Sequence, residues 1–128
     1  MKILIVEDDF VSAKLLETIL SSYGTCDVAV NGTEAIGMIE KSFAEKGLYD
    51  LICLDIMLPE INGHDVLKQL RELEIQNNDK KVKVIMITAL GDSDNIKKSF
   101  SEKAEAYLVK PIFRDTLIET IKRLELID

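Results

Sequence analysis

The chain has 128 residues, of which 47% are hydrophobic and 30% charged, a composition typical of one globular domain. Its 23 acidic and 16 basic residues give a net charge of −7. This charge argues against binding nucleic acid through a broad basic face and against binding an anionic membrane surface. The longest apolar runs fall well short of the ~18 residues that a membrane span needs.

Two features predict a cytoplasmic location. Cys26 and Cys53 lie in apolar, strand-like runs without metal-ligand spacing, as expected of small buried thiols in a reducing compartment. The amino terminus has neither the basic flank nor the cleavage site of a secretory leader.

Short apolar runs alternate with segments of helical periodicity along the whole chain. The runs predict buried strands over residues 3–6, 26–30, 51–54, 84–87 and 107–109. A helix is predicted after each strand, and the fourth, over residues 91–101, has the weakest apolar pattern. Such alternation favours a parallel sheet with right-handed crossovers. The predicted fold class is therefore α/β, a single doubly wound domain over residues 1–128 with a five-stranded parallel sheet and five helices.

Chemically active side chains follow four of the predicted strands. Glu7, Asp8 and Asp9 follow the first strand, and Asp55 follows the third. Thr88 and Lys110 end the fourth and fifth strands. Taken singly, each has an ordinary explanation; Asp9, for example, has the position of a helix N-cap. Because the carboxyl ends of parallel strands share one edge, we expect these groups to lie close together.

Electrostatics suggests what this group of side chains binds. Two carboxylates about 4 Å apart repel each other by roughly 4 kcal/mol at an effective dielectric constant near 20. A hard cation such as Mg²⁺ offsets this repulsion and accepts phosphate oxygens as further ligands. Lys110 and the Thr88 hydroxyl would donate to an anion bound against the metal. Together these groups are typical of phosphoryl transfer to an aspartate.

Four motifs carry a family resemblance. They are residues 5–10 (IVEDDF), 55–59 (DIMLP) with Gly63, 87–89 (ITA) and 107–111 (YLVKP). In this order and spacing they resemble the receiver domain of bacterial two-component response regulators, of the stand-alone, chemotaxis-regulator type. The resemblance covers essentially the whole chain and implies the flavodoxin-like receiver fold.

The resemblance implies a phosphoacceptor and a metal site. Asp55 would accept a phosphoryl group from the phosphohistidine of a sensor histidine kinase or phosphotransfer protein. Mg²⁺ (or Mn²⁺) would be bound directly by Asp9 and Asp55, mainly through water by Asp8, and by the backbone carbonyl of Met57.

It also implies a switch. Lys110 would pair with the phosphoryl oxygens, and Thr88 would hydrogen-bond one of them on activation. Tyr107 would then rotate, and Pro111 would follow a cis peptide bond. A downstream protein target would bind the face formed by the fourth helix, fifth strand and fifth helix. The domain would be a monomer or a weak phosphorylation-dependent dimer that contacts neither nucleic acid nor membrane directly.

The sequence departs from the family pattern at two places on that face. Residues 103–105 (KAE) replace the common Gly-Ala-Asp, and Ile112 stands where Phe is common. Two further positions bear on the lifetime of the phosphorylated state. Met57 and Leu90 lie two residues beyond the acceptor and the switch hydroxyl, and both are bulky and apolar. We expect them to hold no attacking water, so that dephosphorylation is slow.

Other functions stay open at this point. An aspartate-based, Mg²⁺-dependent phosphohydrolase requires a second Asp two residues after the nucleophile, where this chain has Met57. A flavin or nucleotide binder requires a glycine-rich phosphate loop after the first strand, where this chain has acidic residues. A phosphorylation-independent interaction module would normally have lost some of the site residues. The prediction is therefore a signalling phosphoacceptor, not an enzyme, with slow self-catalysed dephosphorylation.

Overall fold

In the computed structural model, residues 1–89 and 104–128 are described. The strands are β1 (Lys2–Val6), β2 (Thr25–Ala29), β3 (Leu51–Asp55), β4 (Lys83–Thr88) and β5 (Ala106–Val109). The helices of these segments are α1 (Phe10–Leu20), α2 (Gly32–Ala44), α3 (Gly63–Asn77) and α4 (Arg114–Arg123). The predicted helix over residues 91–101 lies outside the described residues, and α4 corresponds to the last predicted helix.

The five strands form one parallel sheet in the order β2-β1-β3-β4-β5. The chain thus winds first to one side of β1 and then to the other. The predicted α/β class and the five-stranded parallel sheet are confirmed.

Two apolar cores cover the two faces of the sheet. Alternate residues of β1 belong to different cores: Leu4 and Val6 pack with α2 and α3, whereas Ile3 and Ile5 pack with α1 and α4. All four are fully buried. Strands buried on both faces read as continuous apolar runs, which explains why the sequence pattern located them.

Asn and Asp side chains begin three of the helices. Asp9, Asn31 and Asn62 are the N-caps of α1, α2 and α3, and each accepts a hydrogen bond from a backbone N–H of the first turn.

Both cysteines are free thiols. Cys53 is buried, whereas Cys26 is only partly buried. Among the described residues, every helix is too short or too polar to cross a membrane.

Candidate functional site

Three carboxylates meet at the carboxyl edge of the sheet. Glu7 follows β1, Asp55 is the last residue of β3, and these strands are neighbours. One carboxylate oxygen from each of Glu7, Asp8 and Asp55 lies within 4.8 Å of the other two. Glu7 and Asp55 are 1% and 3% exposed, whereas Asp8 is exposed. The backbone N–H of Glu7 donates to Ala29 O of β2 at 3.0 Å, which fixes the backbone of Glu7 beside the end of β2.

Lys110 brings a positive charge to the same point from β5. Its Nζ lies 3.0 Å from Glu7 Oε2 and 3.1 Å from Asp55 Oδ2. The backbone N–H of Lys110 donates to Thr88 O at 2.9 Å, which holds the end of β5 against the end of β4. The bond between Lys110 and Pro111 is cis, as predicted. Burial lowers the pKa of Lys110, but its contacts with Glu7 and Asp55 outweigh burial, so the pKa is raised.

Burial and a neighbouring carboxylate disfavour the charged form of Glu7. Burial raises its pKa to about 7, and the neighbouring Asp55 carboxylate adds to the effect, although Lys110 opposes it. Among the described residues, the three carboxylates of this cluster and the Lys110 ammonium leave a formal excess of two negative charges. A divalent cation would neutralise that excess.

The donor atoms also fit a hard cation in kind. All three are carboxylate oxygens, the ligand type of Mg²⁺ and Ca²⁺, and the exposed Asp8 leaves one side open to water. Asp55 is oriented on both oxygens: Oδ1 accepts from Met57 N at 3.1 Å and Oδ2 accepts from Lys110 Nζ. The site can therefore hold a cation while it presents the Asp55 carboxylate in a fixed direction.

Asp9 lies outside this cluster. Its Oδ2 accepts hydrogen bonds from Ser12 Oγ at 2.7 Å and from Ser12 N at 3.3 Å, so its carboxylate caps α1. The Ser12 hydroxyl lowers the pKa of Asp9. The prediction that Asp9 binds the metal directly does not agree with this geometry, which gives the buried position to Glu7 instead. The physical reason is that β1 ends at Val6 and α1 begins at Phe10, so the third acid serves as the N-cap.

Thr88 and Tyr107 lie on the neighbouring strands β4 and β5. Thr88 is buried at the end of β4, and its Oγ1 donates to Ala89 O at 3.3 Å. Tyr107 is partly buried in β5 and packs against the core under α2 and α3. Their coupled movement stays a prediction. The side chain of Met57 is 64% exposed, and Leu90 lies outside the described residues.

Glu105, one of the departures from the family pattern, has a structural partner that the sequence did not reveal. Arg71 Nη2 of α3 donates to Glu105 Oε1 at 2.8 Å, and the same oxygen accepts from Val84 N at 2.7 Å. Arg71 Nη1 donates in addition to Val82 O at 2.8 Å. Glu105 thus links α3 to the amino ends of β4 and β5, on the edge of the sheet opposite the acids. No local motif marks a pair 34 residues apart.

Comparison with known proteins agrees with the fold. The response regulator receiver domain family matches residues 3–122. The chain is 34% identical to the chemotaxis protein CheY of Treponema pallidum, over 94% of this chain and 79% of that protein. It is 36% identical to the transcriptional regulatory protein CusR of Escherichia coli, over 97% of this chain and 51% of CusR. It is also 38% identical to part of the hybrid signal transduction histidine kinase B of Dictyostelium discoideum, of which it spans 6%.

Solved structures of receiver domains have the same fold as this chain. A CheY-like receiver domain protein from Methanospirillum hungatei superimposes with a TM-score of 0.81 at 29% identity, over 98% of this chain and 92% of that one. The receiver domain of a sensor histidine kinase from Pseudomonas aeruginosa has a TM-score of 0.79 at 27% identity, over 95% of this chain and 94% of that one. That domain has a magnesium ion coordinated in its active-site cleft. The chain therefore belongs to the response regulator receiver domain family, the signalling phosphoacceptors of two-component systems.

Proposed function

We propose that Asp55 is the phosphoacceptor of this domain and that its donor is a phosphohistidine on a histidine kinase or phosphotransfer protein. The observation that carries the proposal is the position of the Asp55 carboxylate, which contacts the Lys110 ammonium, lies close to the carboxylates of Glu7 and Asp8, and is held on both oxygens. In the transfer, an Asp55 oxygen forms a bond to phosphorus while the donor's N–P bond breaks. The electron pair of that bond stays on the imidazole nitrogen.

Glu7, Asp8 and Asp55 would hold Mg²⁺ or Mn²⁺, together with the backbone carbonyl of Met57. The cation, when bound, offsets the charge of the phosphoryl oxygens. Two observations support this assignment: the mutual distance of the three carboxylates and their formal excess of negative charge over Lys110. Asp9 would contribute only through the start of α1.

Lys110 would stabilise the transferred group directly. Its Nζ already lies 3.1 Å from Asp55 Oδ2, so it can contact the phosphoryl oxygens without a large movement. Thr88 would donate its hydroxyl to the phosphoryl group, in exchange for the 3.3 Å bond to Ala89 O. Tyr107 would then turn inward, which would change the face formed by the predicted helix over residues 91–101, β5 and α4, where a downstream protein would bind.

The phosphorylated state would be long-lived. The Met57 side chain is exposed two residues beyond Asp55, and Leu90 is the second apolar residue expected near the acceptor. Neither side chain can accept a hydrogen bond strongly enough to orient an attacking water. Dephosphorylation would then be slow self-catalysis within a signalling protein, rather than the turnover of an enzyme. Residues 1–128 would form one receiver domain, acting in the cytoplasm as a monomer or a weak phosphorylation-dependent dimer.

The proposal is tested by incubating the chain with Mg²⁺ and acetyl phosphate and measuring the intact mass. We expect the mass of one phosphoryl group to be gained by the wild type and not by Asp55→Asn, and the gain to be lost when the metal is chelated. Equal gain by the Asn variant, or a gain indifferent to chelation, would overturn the assignment.

A further inference from the structure

Gly63, the first residue of α3, lies against the backbone of Asp55 more closely than a side chain permits. A Cβ built on Gly63 would lie within 3 Å of both the Asp55 carbonyl oxygen and the Ile56 Cα. Real Cβ atoms essentially never approach other heavy atoms so closely. The atoms in question are backbone atoms of β3 and of the residue after it, so no side-chain rotation relieves the contact.

The same segment is held by hydrogen bonds that the close approach makes possible. Gly63 N donates to Ile56 O at 3.0 Å, and Ile56 N donates to Ile87 O of β4 at 2.9 Å. Ile56 is therefore fixed on both its polar groups, between β4 and the start of α3. Its two chain neighbours are Asp55 and Met57, and Met57 N orients the Asp55 carboxylate.

Gly32, at the start of α2, makes a similar approach to the other end of this loop. A Cβ there would overlap the carbonyl oxygen of Ile61 and lie 2.9 Å from Ile61 Cβ. The segment between β3 and α3 is thus enclosed by two residues without side chains, Gly63 on its inner side and Gly32 beyond Ile61.

We propose that Gly63 is a positioning residue for phosphoryl transfer, and that its missing Cβ sets the distance of the Asp55 carboxylate from Glu7, Asp8 and Lys110. A methyl group at this position would push Asp55 and Ile56 away from α3. The Asp55 carboxylate would then lie at altered distances from the carboxylates of Glu7 and Asp8 and from the Lys110 ammonium. Gly32 acts in the same sense but more weakly, because Ile61 is farther along the chain from Asp55. This inference rests on the proposed function of Asp55.

The chain supplies matched controls for a Gly63→Ala variant. Gly24 makes an equally close contact, with the Met1 carbonyl oxygen, but it precedes β2 and so lies at the opposite edge of the sheet. Gly37, inside α2, has open space around it, with nothing within 4 Å of the point that a Cβ would occupy. Ala is favoured over Gly within helices, so the Gly63→Ala change does not weaken α3 by propensity. A purely structural role would give Gly63→Ala and Gly24→Ala the same properties per folded molecule.

The experiment measures Mg²⁺ affinity by amide chemical shifts and the initial rate of phosphorylation by acetyl phosphate, both corrected for the folded fraction. We expect Gly63→Ala to weaken Mg²⁺ binding and slow phosphorylation by about tenfold or more, since displacements near 1 Å have effects of this size. Gly24→Ala and Gly37→Ala should have Mg²⁺ affinities and phosphorylation rates within about twofold of the wild-type values.

If Gly63→Ala does not fold, Gly32→Ala decides the question. A loss of Mg²⁺ affinity clearly greater than that of Gly24→Ala supports the positioning of the loop, and equal affinities overturn it. If all folded variants match the wild type, the inference is wrong and the proposed function stands. If the wild type itself neither binds Mg²⁺ nor accepts a phosphoryl group, the proposed function has failed instead.

Discussion

Glu7 Oε2 lies 3.0 Å from Lys110 Nζ, and this ion pair joins the end of β1 to the end of β5 across two intervening strands. Glu7 is almost completely buried, whereas the Lys110 side chain is 31% exposed. The Glu7 carboxylate is therefore desolvated beside Asp55, whereas the Lys110 ammonium stays accessible to solvent and ligands.

Glu7→Gln should stabilise the metal-free protein at high pH. The pKa of Glu7 rises from 4.5 to about 7 on folding, chiefly through burial. Between these values the folded chain holds more protons than the unfolded chain, so its free energy of unfolding falls as the pH rises. At pH 8 the variant should be more stable by roughly 2 kcal/mol, and at pH 4 the difference should vanish. Urea unfolding in the presence of a chelator measures both; a wild type more stable than the variant at pH 8 would contradict this account.

Lys110→Ala should destabilise the metal-free protein and abolish most phosphorylation. Without the ammonium, the buried carboxylates of Glu7 and Asp55 repel each other unopposed, which should cost about 2 kcal/mol at pH 8. Mg²⁺ should restore most of the lost free energy of unfolding, because it neutralises the same carboxylates.

Lys80→Ala is the control for Lys110→Ala. Lys80 Nζ lies 3.3 Å from Asp50 Oδ1, but this pair is exposed and remote from the site. Its removal should change the free energy of unfolding by less than about 1 kcal/mol, with no response to Mg²⁺. If Mg²⁺ stabilises both variants equally, the role of Lys110 is wrong.

Asp8→Ala and Asp9→Ala should have opposite consequences. Asp9 caps α1 through Ser12, so its removal should lower the free energy of unfolding and leave Mg²⁺ affinity nearly unchanged. Asp8 belongs to the carboxylate cluster, so its removal should weaken Mg²⁺ binding by about tenfold or more with little effect on stability. Titration followed by amide chemical shifts separates the two, and weaker Mg²⁺ binding in Asp9→Ala alone would restore Asp9 as the metal ligand.

Met57→Asn combined with Leu90→Glu should speed dephosphorylation. Polar groups at these positions can orient the attacking water, which the wild-type side chains cannot. We expect about a tenfold faster decay, equivalent to roughly 1.4 kcal/mol in the barrier. Decay of the purified phosphoprotein is followed by intact mass in Mg²⁺. Equal lifetimes, or a longer-lived double variant, would exclude this explanation.

The sequence predicted the strands and the edge of the sheet well because both depend on local patterns. Leu4, Ile5 and their neighbours are buried on both faces, and such strands appear in the sequence as continuous apolar runs. Strand ends then place Asp55, Thr88 and Lys110 at one edge by topology alone.

The different roles of the three consecutive acids could not be predicted in the same way. Whether Glu7 or Asp9 turns inward depends on the residue at which β1 ends and α1 begins, and sequence patterns locate such boundaries poorly. Asp9 and Ser12 carried a usable signal, since an acid directly before a helical apolar pattern is typical of an N-cap. The contact of Arg71 with Glu105 had no signal, because it joins distant parts of the chain only after folding.

The identity of the acceptor atom is the central claim, and chemical trapping tests it most directly. Borohydride reduces an aspartyl phosphate to homoserine, which marks the modified position in a peptide mass map. After treatment with Mg²⁺ and acetyl phosphate, we predict homoserine at position 55 and unmodified side chains at Glu7, Asp8 and Asp9. Homoserine at another acid, or a phosphorylated chain with Asp55 unmodified, would contradict the account.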